Sequence, residues 1–227
     1  MKELILSKSR MQTYLQCPLA YKFSYIDKLP FAPSPAMMKG VELHRMFERF
    51  FSVLNKGSVP KEKFLKMAED KPDYLLHLTN FLAFNERILD KAGKKYFKPL
   101  YTEKHYTDQK LKLTGIIDVA YQDKDGVLLI DYKTGKYNSA YKTEGRFGLA
   151  VYKHLHDEFN EKKVTHWGEY YSAVDAFWIE KYKPSSMLMM HKRIEKCRKG
   201  IEGEKFDATP NYLCDWCNYA DRCNCMR

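Results

Sequence analysis

The chain has 227 residues, 44% of them hydrophobic and 30% charged, which is typical of a globular protein and excludes a disordered one. This length favours one elaborated domain over two complete ones. Lys and Arg number 39 against 29 Asp and Glu, so the net charge is +10. The excess favours a polyanionic partner, with nucleic acid ahead of a membrane surface; charge that serves solubility alone is the alternative.

The sequence contains no run of about 20 apolar residues of the kind that crosses a membrane. The first seven residues also lack the longer apolar stretch of a signal peptide. We therefore expect a cytoplasmic protein without a membrane partner, in which thiols stay reduced. The six cysteines then predict a use other than disulfide bonds.

Hydrophobic periodicity predicts helices in the first half of the chain and a mixture of strands and helices in the second. The predicted helices cover residues 7–25 with a break at Pro18, 37–54, 61–68, 72–91, 146–159 and 185–201, and the predicted strands cover 100–104, 111–121, 127–133 and 170–179. On the second helix, Val41, Met46, Phe47, Phe50 and Phe51 are expected to form the apolar side. The order predicts a single mixed α/β domain over residues 1–227, with a helical insertion before the strands.

Residues 115–121 of one predicted strand and the predicted strand 127–133 flank the turn signal Asp-Lys-Asp-Gly at 123–126. The second strand contains the apolar run 127–130, which indicates burial on both faces. The sequence therefore predicts a β-hairpin whose second strand carries acidic and basic side chains into a buried setting.

The register of this hairpin decides which charged side chains meet. If residues 124–125 form the loop, Asp118 lies opposite Asp131; if residues 125–126 form it, Asp118 lies opposite Lys133. Because side chains alternate between the faces of a strand, all three share one face in either register. A three-residue loop would separate Asp118 from the other two.

Two carboxylates held together on one face repel each other and lose solvation unless a cation compensates them. Oxygen ligands of this kind suit Mg²⁺ or Mn²⁺. The alternative is an exposed strand face with an ordinary Asp–Lys ion pair, which the position of Asp131 after a buried apolar run disfavours.

The segment Gly-Ile-Ile-Asp at 115–118, followed by Ile-Asp-Tyr-Lys-Thr-Gly-Lys at 130–136, resembles the signature of PD-(D/E)XK nucleases, in particular the RecB-like branch. The upstream segment 40–48, with Gly40, His44 and Glu48, is similar to the helix that supplies a histidine ligand in that branch. The resemblance implies a restriction-endonuclease-like core, a central mixed sheet flanked by helices, at 100–200, after a helical region at 35–95.

This resemblance also implies roles for individual residues. His44, Asp118, Asp131 and the backbone carbonyl of Tyr132 would bind Mg²⁺ or Mn²⁺. Lys133 would orient or activate the attacking water and stabilise charge on the phosphate. The reaction would be metal-assisted hydrolysis of a phosphodiester bond.

Three further residues are weaker candidates for the same site. Glu48 lies one helical turn from His44 and could support it, although a solvated helix face is equally consistent. Glu103 begins the strand pattern before the hairpin. Tyr152 occupies the tyrosine position of the Gln-x₃-Tyr motif of the branch and could contact DNA, support Lys133 or belong to the core, but Gly148 stands where the glutamine is expected.

The cysteines form a separate pattern, with three in a C-x₂-C-x₅-C array near one end and a fourth near the other. They are Cys214, Cys217, Cys223 and Cys17. Four thiolates suit zinc or an iron–sulfur cluster, and their spacing alone does not separate the two. The pattern resembles the iron–sulfur nucleases of AddAB and CRISPR-adaptation type, which implies a structural [4Fe–4S] cluster held by segments 1–30 and 205–227.

Two other cysteines are not assigned to this cluster. Cys225 could replace Cys223 as a ligand, whereas Cys197 is expected to be a packed thiol.

Basic and aromatic residues alternate at 94–98, 133–141 and 181–183, a pattern that suits single-stranded DNA or frayed ends, although each stretch could be an ordinary solvated surface. Together with the resemblance, it predicts a stand-alone, sequence-independent DNA exonuclease of a bacterial, archaeal or phage-infected cell, with a separate helicase or recombination partner. The alternatives are a CRISPR-adaptation nuclease within a larger complex and a non-catalytic DNA-binding assembly module. An oligomer that threads DNA is compatible with the sequence.

Overall fold

The structure, a computed structural model of the chain, describes residues 4–52, 61–92, 97–122 and 124–224. The α-helices are α1 Lys8–Gln16, α2 Pro18–Tyr21, α3 Pro35–Ser52, α4 Lys61–Leu65, α5 Pro72–Ala92, α6 Lys142–Phe159 and α7 Pro184–Glu202. The strands are β1 Leu6–Ser7, β2 Tyr101–Asp108, β3 Leu113–Gln122, β4 Val127–Lys133, β5 Val164–Tyr171 and β6 Ala176–Lys181. A π-helix covers Lys22–Ile26, and short 3₁₀ turns cover Lys66–Ala68, Ser139–Tyr141, Cys214–Trp216 and Ala220–Arg222.

The six strands form one mixed sheet around β3 and β4. β2 pairs antiparallel with β3, β4 pairs antiparallel with β3 and parallel with β5, and β6 pairs antiparallel with β5. The short β1 pairs parallel with the beginning of β3, at Leu113 and Thr114. Because β2 occupies the other edge along this stretch, β1 and β4 share one edge of β3 and run toward each other along it.

The sheet separates two hydrophobic cores. On one side, α1, α6 and α7 pack over strand residues such as Leu129 and Trp167. On the other side, α3 and α5 cover Ile130, Tyr132 and Tyr170. The predicted α/β architecture, a mixed sheet flanked by helices, is confirmed.

Several predicted boundaries are wrong. The predicted single strand at 170–179 is two antiparallel strands, β5 and β6, joined by a turn in which Asp175 has a φ of 48°. By contrast, the break predicted at Pro18 is confirmed, because Cys17 has extended backbone and separates α1 from α2, which begins at Pro18. Val41, predicted on the apolar side of its helix, is 55% exposed.

None of the helices in the described ranges combines the length and apolar character that a membrane span requires.

Candidate active site

His44 reaches the sheet from α3. Leu43 and Phe47 on the same helix are fully buried, and they fix the face of α3 that meets the sheet. His44 lies at the edge of that face, with its Nδ1 atom 3.7 Å from a carboxylate oxygen of Glu103 and 3.8 Å from one of Asp118. Candidate ligand atoms of these three residues all lie within 4.8 Å of one another. They form a cluster of one nitrogen and two oxygen donors.

Asp118 lies where β3 and β4 separate. The ladder between these strands runs from Gln122–Val127 to Val119–Ile130, which is the register that brings Asp118 opposite Asp131. Beyond this ladder, the backbone N–H of Tyr132 donates to the Asp118 carboxylate at 2.6 Å. Burial, together with the nearby charge of Asp131, raises the pKa of Asp118 to about 7.

Glu103 enters the site through an irregular position in β2. Its neighbours Thr102 and Lys104 pair with Val119 and Ile117 of β3, while Glu103 itself has a φ of 45°, a conformation that non-glycine residues seldom adopt. Backbone strain of this kind concentrates at functional sites. Glu103 was a weaker candidate in the sequence, yet the structure places it beside His44 and Asp118.

Asp131 is almost completely buried and is contacted by two lysines. Lys8 donates to both of its carboxylate oxygens, at 3.4 and 3.2 Å, and Lys133 donates to the second oxygen. Burial alone would raise the pKa of Asp131, but the charges of Lys133 and Lys8 lower it well below its usual range. Asp131 is therefore an ionised carboxylate at pH 7, whereas Asp118 gains or loses its proton near pH 7.

Lys133 lies between two acidic side chains at the end of β4. Besides Asp131, its ammonium is 3.7 Å from the carboxylate of Glu169, which belongs to β5 and pairs in register with Asp131. Glu169 is only 2% exposed and accepts hydrogen bonds from Tyr171 and Trp178. These contacts hold Glu169 in place next to the lysine.

Tyr132 and Tyr152 are both largely buried. The Tyr132 ring packs in the core against Phe81, with ring centroids 5.2 Å apart, and its backbone carbonyl remains only a predicted ligand. Tyr152 on α6 is 9% exposed, and the Lys8 ammonium lies 5.0 Å from the centre of its ring. A Cβ atom at Gly148 would lie 2.4 Å from Cε of Lys8, so the Lys8 side chain fills the space beside the position where the sequence motif expects glutamine.

The structure thus brings together His44, Glu103 and Asp118, and places Asp131 and Lys133 beside them. Glu48 is exposed on α3 and is not one of the clustered ligands. Sequence reasoning missed Lys8 and Glu169. Nothing in the local pattern marks Lys8, whereas Glu169 directly precedes the predicted strand 170–179 and is followed by two tyrosines, a position that could have indicated a buried charge.

A cavity with a volume of about 660 Å³ is lined by all four cysteines of the predicted cluster site: Cys17, Cys214, Cys217 and Cys223. Each of these cysteines is half-buried, and none forms a disulfide. Among the described residues, no three of them bring their Sγ atoms within 4.8 Å of one another. Cys197 is fully buried elsewhere, in the core, and Cys225 lies outside the described residues.

Contacts independent of the cysteines hold the C-terminal segment against the N-terminal helices. Tyr219 shares a hydrogen bond with the hydroxyl of Ser24 at 3.0 Å, and its ring packs on Phe23. The hydroxyl of Tyr14 donates to the backbone carbonyl of Lys205 at 2.8 Å. The two ends of the chain therefore meet around the cavity that the cysteines line.

The three predicted basic and aromatic stretches differ in exposure. Residues 94–96 of the first stretch lie outside the described ranges, and the ring of Phe97 is buried rather than exposed. Tyr137 and Tyr141, which follow Lys133, are exposed. Tyr182 is partly buried, with the Lys153 ammonium 4.0 Å from the centre of its ring. Among the described residues of these three stretches, the exposed aromatic rings are those of Tyr137 and Tyr141.

The sequence of this chain matches a known protein family over nearly its whole length. The sequence profile of the PD-(D/E)XK nuclease superfamily matches residues 5–224, nearly the whole chain. The chain belongs to this superfamily. The matched region, residues 5–224, contains all the clustered site residues.

Two curated relatives are ATP-dependent helicase/nuclease subunits A. The one from Clostridium beijerinckii is 28% identical over 164 residues, covering 62% of this chain and 12% of the relative. The one from Clostridium botulinum is 30% identical over 140 residues, covering 60% of this chain and 11% of the relative. The chain thus spans about an eighth of the length of these relatives.

A solved structure of a proposed exonuclease from Eubacterium rectale has the same fold. It superposes with a TM-score of 0.58 at 14% sequence identity, over 95% of this chain and 87% of that one. At this identity the likeness extends to the fold alone.

Proposed function

We propose that this protein is a metal-dependent nuclease that hydrolyses DNA phosphodiester bonds from DNA ends, independently of sequence. The observation that carries the proposal is the cluster of His44, Glu103 and Asp118, within 4.8 Å of one another, beside the Asp131–Lys133 pair. Membership in the PD-(D/E)XK superfamily supports a nuclease, and the net charge of +10 suits a polyanionic substrate.

The donor set fits a divalent cation of the Mg²⁺ or Mn²⁺ type. Carboxylate oxygens dominate the cluster, and Asp118 is buried next to another acid, an arrangement whose repulsion a cation would relieve. The proposed ligands are His44, Asp118, Asp131 and the carbonyl of Tyr132, and the geometry adds Glu103. A bound cation would polarise a phosphoryl oxygen and acidify a coordinated water.

Lys133 is the residue proposed to act on the attacking water. Asp131 and Glu169 hold its ammonium beside the proposed ligands, and 32% of its side chain remains exposed to a substrate. In the proposed mechanism Lys133 orients the water by a hydrogen bond and stabilises negative charge on the phosphate as the bond to the leaving oxygen breaks. Asp131 accepts hydrogen bonds from Lys133 and so fixes the direction of its side chain.

The proposed reaction is tested by digestion of linear single-stranded, linear double-stranded and closed circular DNA with Mg²⁺ or Mn²⁺. We expect linear DNA to be degraded and circular DNA to resist. Lys133→Ala should abolish cleavage, whereas Lys199→Ala, a control in an exposed pair with Glu195 on α7, should not.

Three other results would change the conclusion. Cleavage of closed circular DNA at the same rate would contradict dependence on ends. DNA binding without any cleavage would favour the non-catalytic assembly module. Cleavage that requires additional protein subunits would favour the CRISPR-adaptation alternative.

A helicase partner is the second part of the proposal. The two clostridial relatives are helicase/nuclease subunits, and the chain corresponds to about an eighth of their length. We propose that a separate helicase or recombination protein supplies single strands or unwound ends to this domain. Stimulation of double-stranded DNA degradation by a co-purifying ATPase would support this, and an equal rate without ATP would contradict it.

The cysteine cavity is proposed to hold a structural [4Fe–4S] cluster. Four cysteines line this one cavity, which suits a cofactor held by four thiolates. The resemblance of the cysteine pattern to iron–sulfur nucleases supports an iron–sulfur cluster over zinc. The cluster would add a covalent link to the existing contacts between the two ends of the chain.

Anaerobic purification with iron, sulfide and zinc analysis tests this cofactor. We expect about four irons per chain, with visible absorption that is lost in Cys17→Ser and retained in Cys197→Ser, because Cys197 lies in the core away from the cavity. Stoichiometric zinc without iron would contradict the proposal.

A further inference from the structure

Lys8 is a largely buried lysine at the candidate active site. It is the first residue of α1, only 15% of its side chain is exposed, and its ammonium contacts both oxygens of Asp131, at 3.4 and 3.2 Å. Lysines are rarely buried unless they are paired. The fold thus places a second cation on the acidic residue that already contacts Lys133.

The topology of the sheet explains how a residue so distant in sequence reaches this position. β1 and β4 run toward each other along the same edge of β3, and β1 ends at Ser7 beside Thr114. Lys8 follows immediately, so it projects into the gap between the end of β1 and the end of β4, where Asp131 lies.

Helix α6 leaves a slot for this side chain. A Cβ atom at Gly148 would lie 2.4 Å from Cε and 2.8 Å from Nζ of Lys8, closer than atoms can approach. One turn further along, the Tyr152 ring lies 5.0 Å from the ammonium. A methyl group at position 148 would therefore force the end of the Lys8 side chain to shift from this path.

We propose that Lys8 is a positioning residue of the nuclease site, and that the lack of a side chain at Gly148 allows Lys8 to take this position. This inference rests on the proposed function. By holding both oxygens of Asp131, Lys8 fixes the rotation of that carboxylate and offsets part of its charge. Lys133 is then drawn less strongly to Asp131 and remains available to the water and the phosphate. Without Lys8, the Lys133–Asp131 pair tightens and the chemical step slows.

The test measures kcat and KM on linear DNA with Mn²⁺. Lys8→Ala is expected to lower kcat at least tenfold while KM changes less than twofold. Lys8→Met fills the slot without the charge, so it should remain folded but stay as slow as Lys8→Ala. If Lys8 only fills space, Lys8→Met restores wild-type kcat, and the proposal is overturned.

A double-mutant cycle tests the slot. Gly148→Ala should cost about tenfold in kcat in the wild-type background, because the new methyl group displaces Lys8. The same change should cost less than twofold in Lys8→Ala, where the slot is empty. Equal costs in both backgrounds would show that Gly148 acts independently of Lys8.

A second readout does not depend on cleavage. Removing a cation that contacts Asp131 should strengthen Mn²⁺ binding, so calorimetry is expected to give a Kd at least threefold lower for Lys8→Met than for the wild type. An unchanged or higher Kd would overturn the inference. Failure of the proposed function would appear differently, as wild-type protein that never cuts DNA, and failure of this inference alone as Lys8 variants that cut at the wild-type rate.

Discussion

Asp118→Asn is expected to stabilise the metal-free protein while it abolishes the proposed activity. Asp118 is 8% exposed and lies close to the ionised Asp131, so its charged form is disfavoured in the fold. Asparagine removes the charge and keeps the shape. Its side-chain oxygen can still accept the hydrogen bond that the backbone N–H of Tyr132 donates at 2.6 Å.

The magnitude follows from the pKa of Asp118. A pKa of about 7, against an ordinary value of 3.8, corresponds to roughly 4 kcal/mol at a pH above both. Because buried sites relax around a charge, we expect a gain in the free energy of unfolding of about 1–3 kcal/mol at pH 8.

The sign of the pH dependence is fixed by the same values. Between about pH 4 and pH 7 the folded wild type keeps a proton that the unfolded chain has released, so its stability falls as pH rises. The asparagine variant lacks this loss. Its advantage should therefore grow from about pH 4 to pH 7 and stay constant above.

Urea unfolding in EDTA at a series of pH values measures this difference. Glu48→Gln, which neutralises an exposed carboxylate on α3, is the matched control and should change stability by less than about 0.5 kcal/mol. A variant that is no more stable than the wild type at pH 8, or whose gain is the same at all pH values, would refute the reasoning.

Three further outcomes are expected. Mn²⁺ at 100 times its Kd should stabilise the wild type by about 2.7 kcal/mol in thermal unfolding, and His44→Ala should lose most of that gain; equal stabilisation would exclude His44 as a ligand. Asp108→Asn should lower the free energy of unfolding by about 1–3 kcal/mol at pH 7. Burial alone would raise the pKa of Asp108, but hydrogen bonds from His154 and two backbone N–H groups outweigh this effect and lower it. The loss of stability should therefore shrink in urea titrations below about pH 4. Phe81→Ala should lower the free energy of unfolding by about 3–5 kcal/mol, because this fully buried ring stacks on Phe47 of the helix that carries His44, with ring centroids 4.2 Å apart. A loss below about 1 kcal/mol in denaturant unfolding would contradict that packing.

The hairpin could be predicted from local sequence. The turn signal and the apolar run limited the register to a few alternatives, and the structure has the one with Asp118 opposite Asp131. The sequence could not show that the paired ladder ends at Val119 and Ile130, nor that β1 occupies the same edge of β3, because the arrangement of strands is a property of the whole sheet. Nor could it predict the left-handed backbone at Glu103, which a local pattern does not encode.

The cysteines, too, were predicted in part from the sequence, while their arrangement in space came only from the structure. Spacing in the sequence indicated that Cys17 and the C-terminal cysteines act together, and the structure gives them one cavity. Their mutual distances come from how the tail packs on the N-terminal helices through Tyr219 and Phe23, which spacing along the chain does not determine.

By itself, the sequence determined the residue types, the periodicity of the elements and the short-range spacing of Asp131 and Lys133 on one strand. These are local properties, because alternation along a strand and periodicity along a helix act over a few residues. Only the tertiary structure decided that Glu103 joins His44 and Asp118, and that Lys8 occupies the space beside Gly148. Such contacts join different elements of the chain, with His44 and Asp118 74 residues apart and Lys8 and Gly148 140 residues apart, and the order of strands in the sheet brings them together.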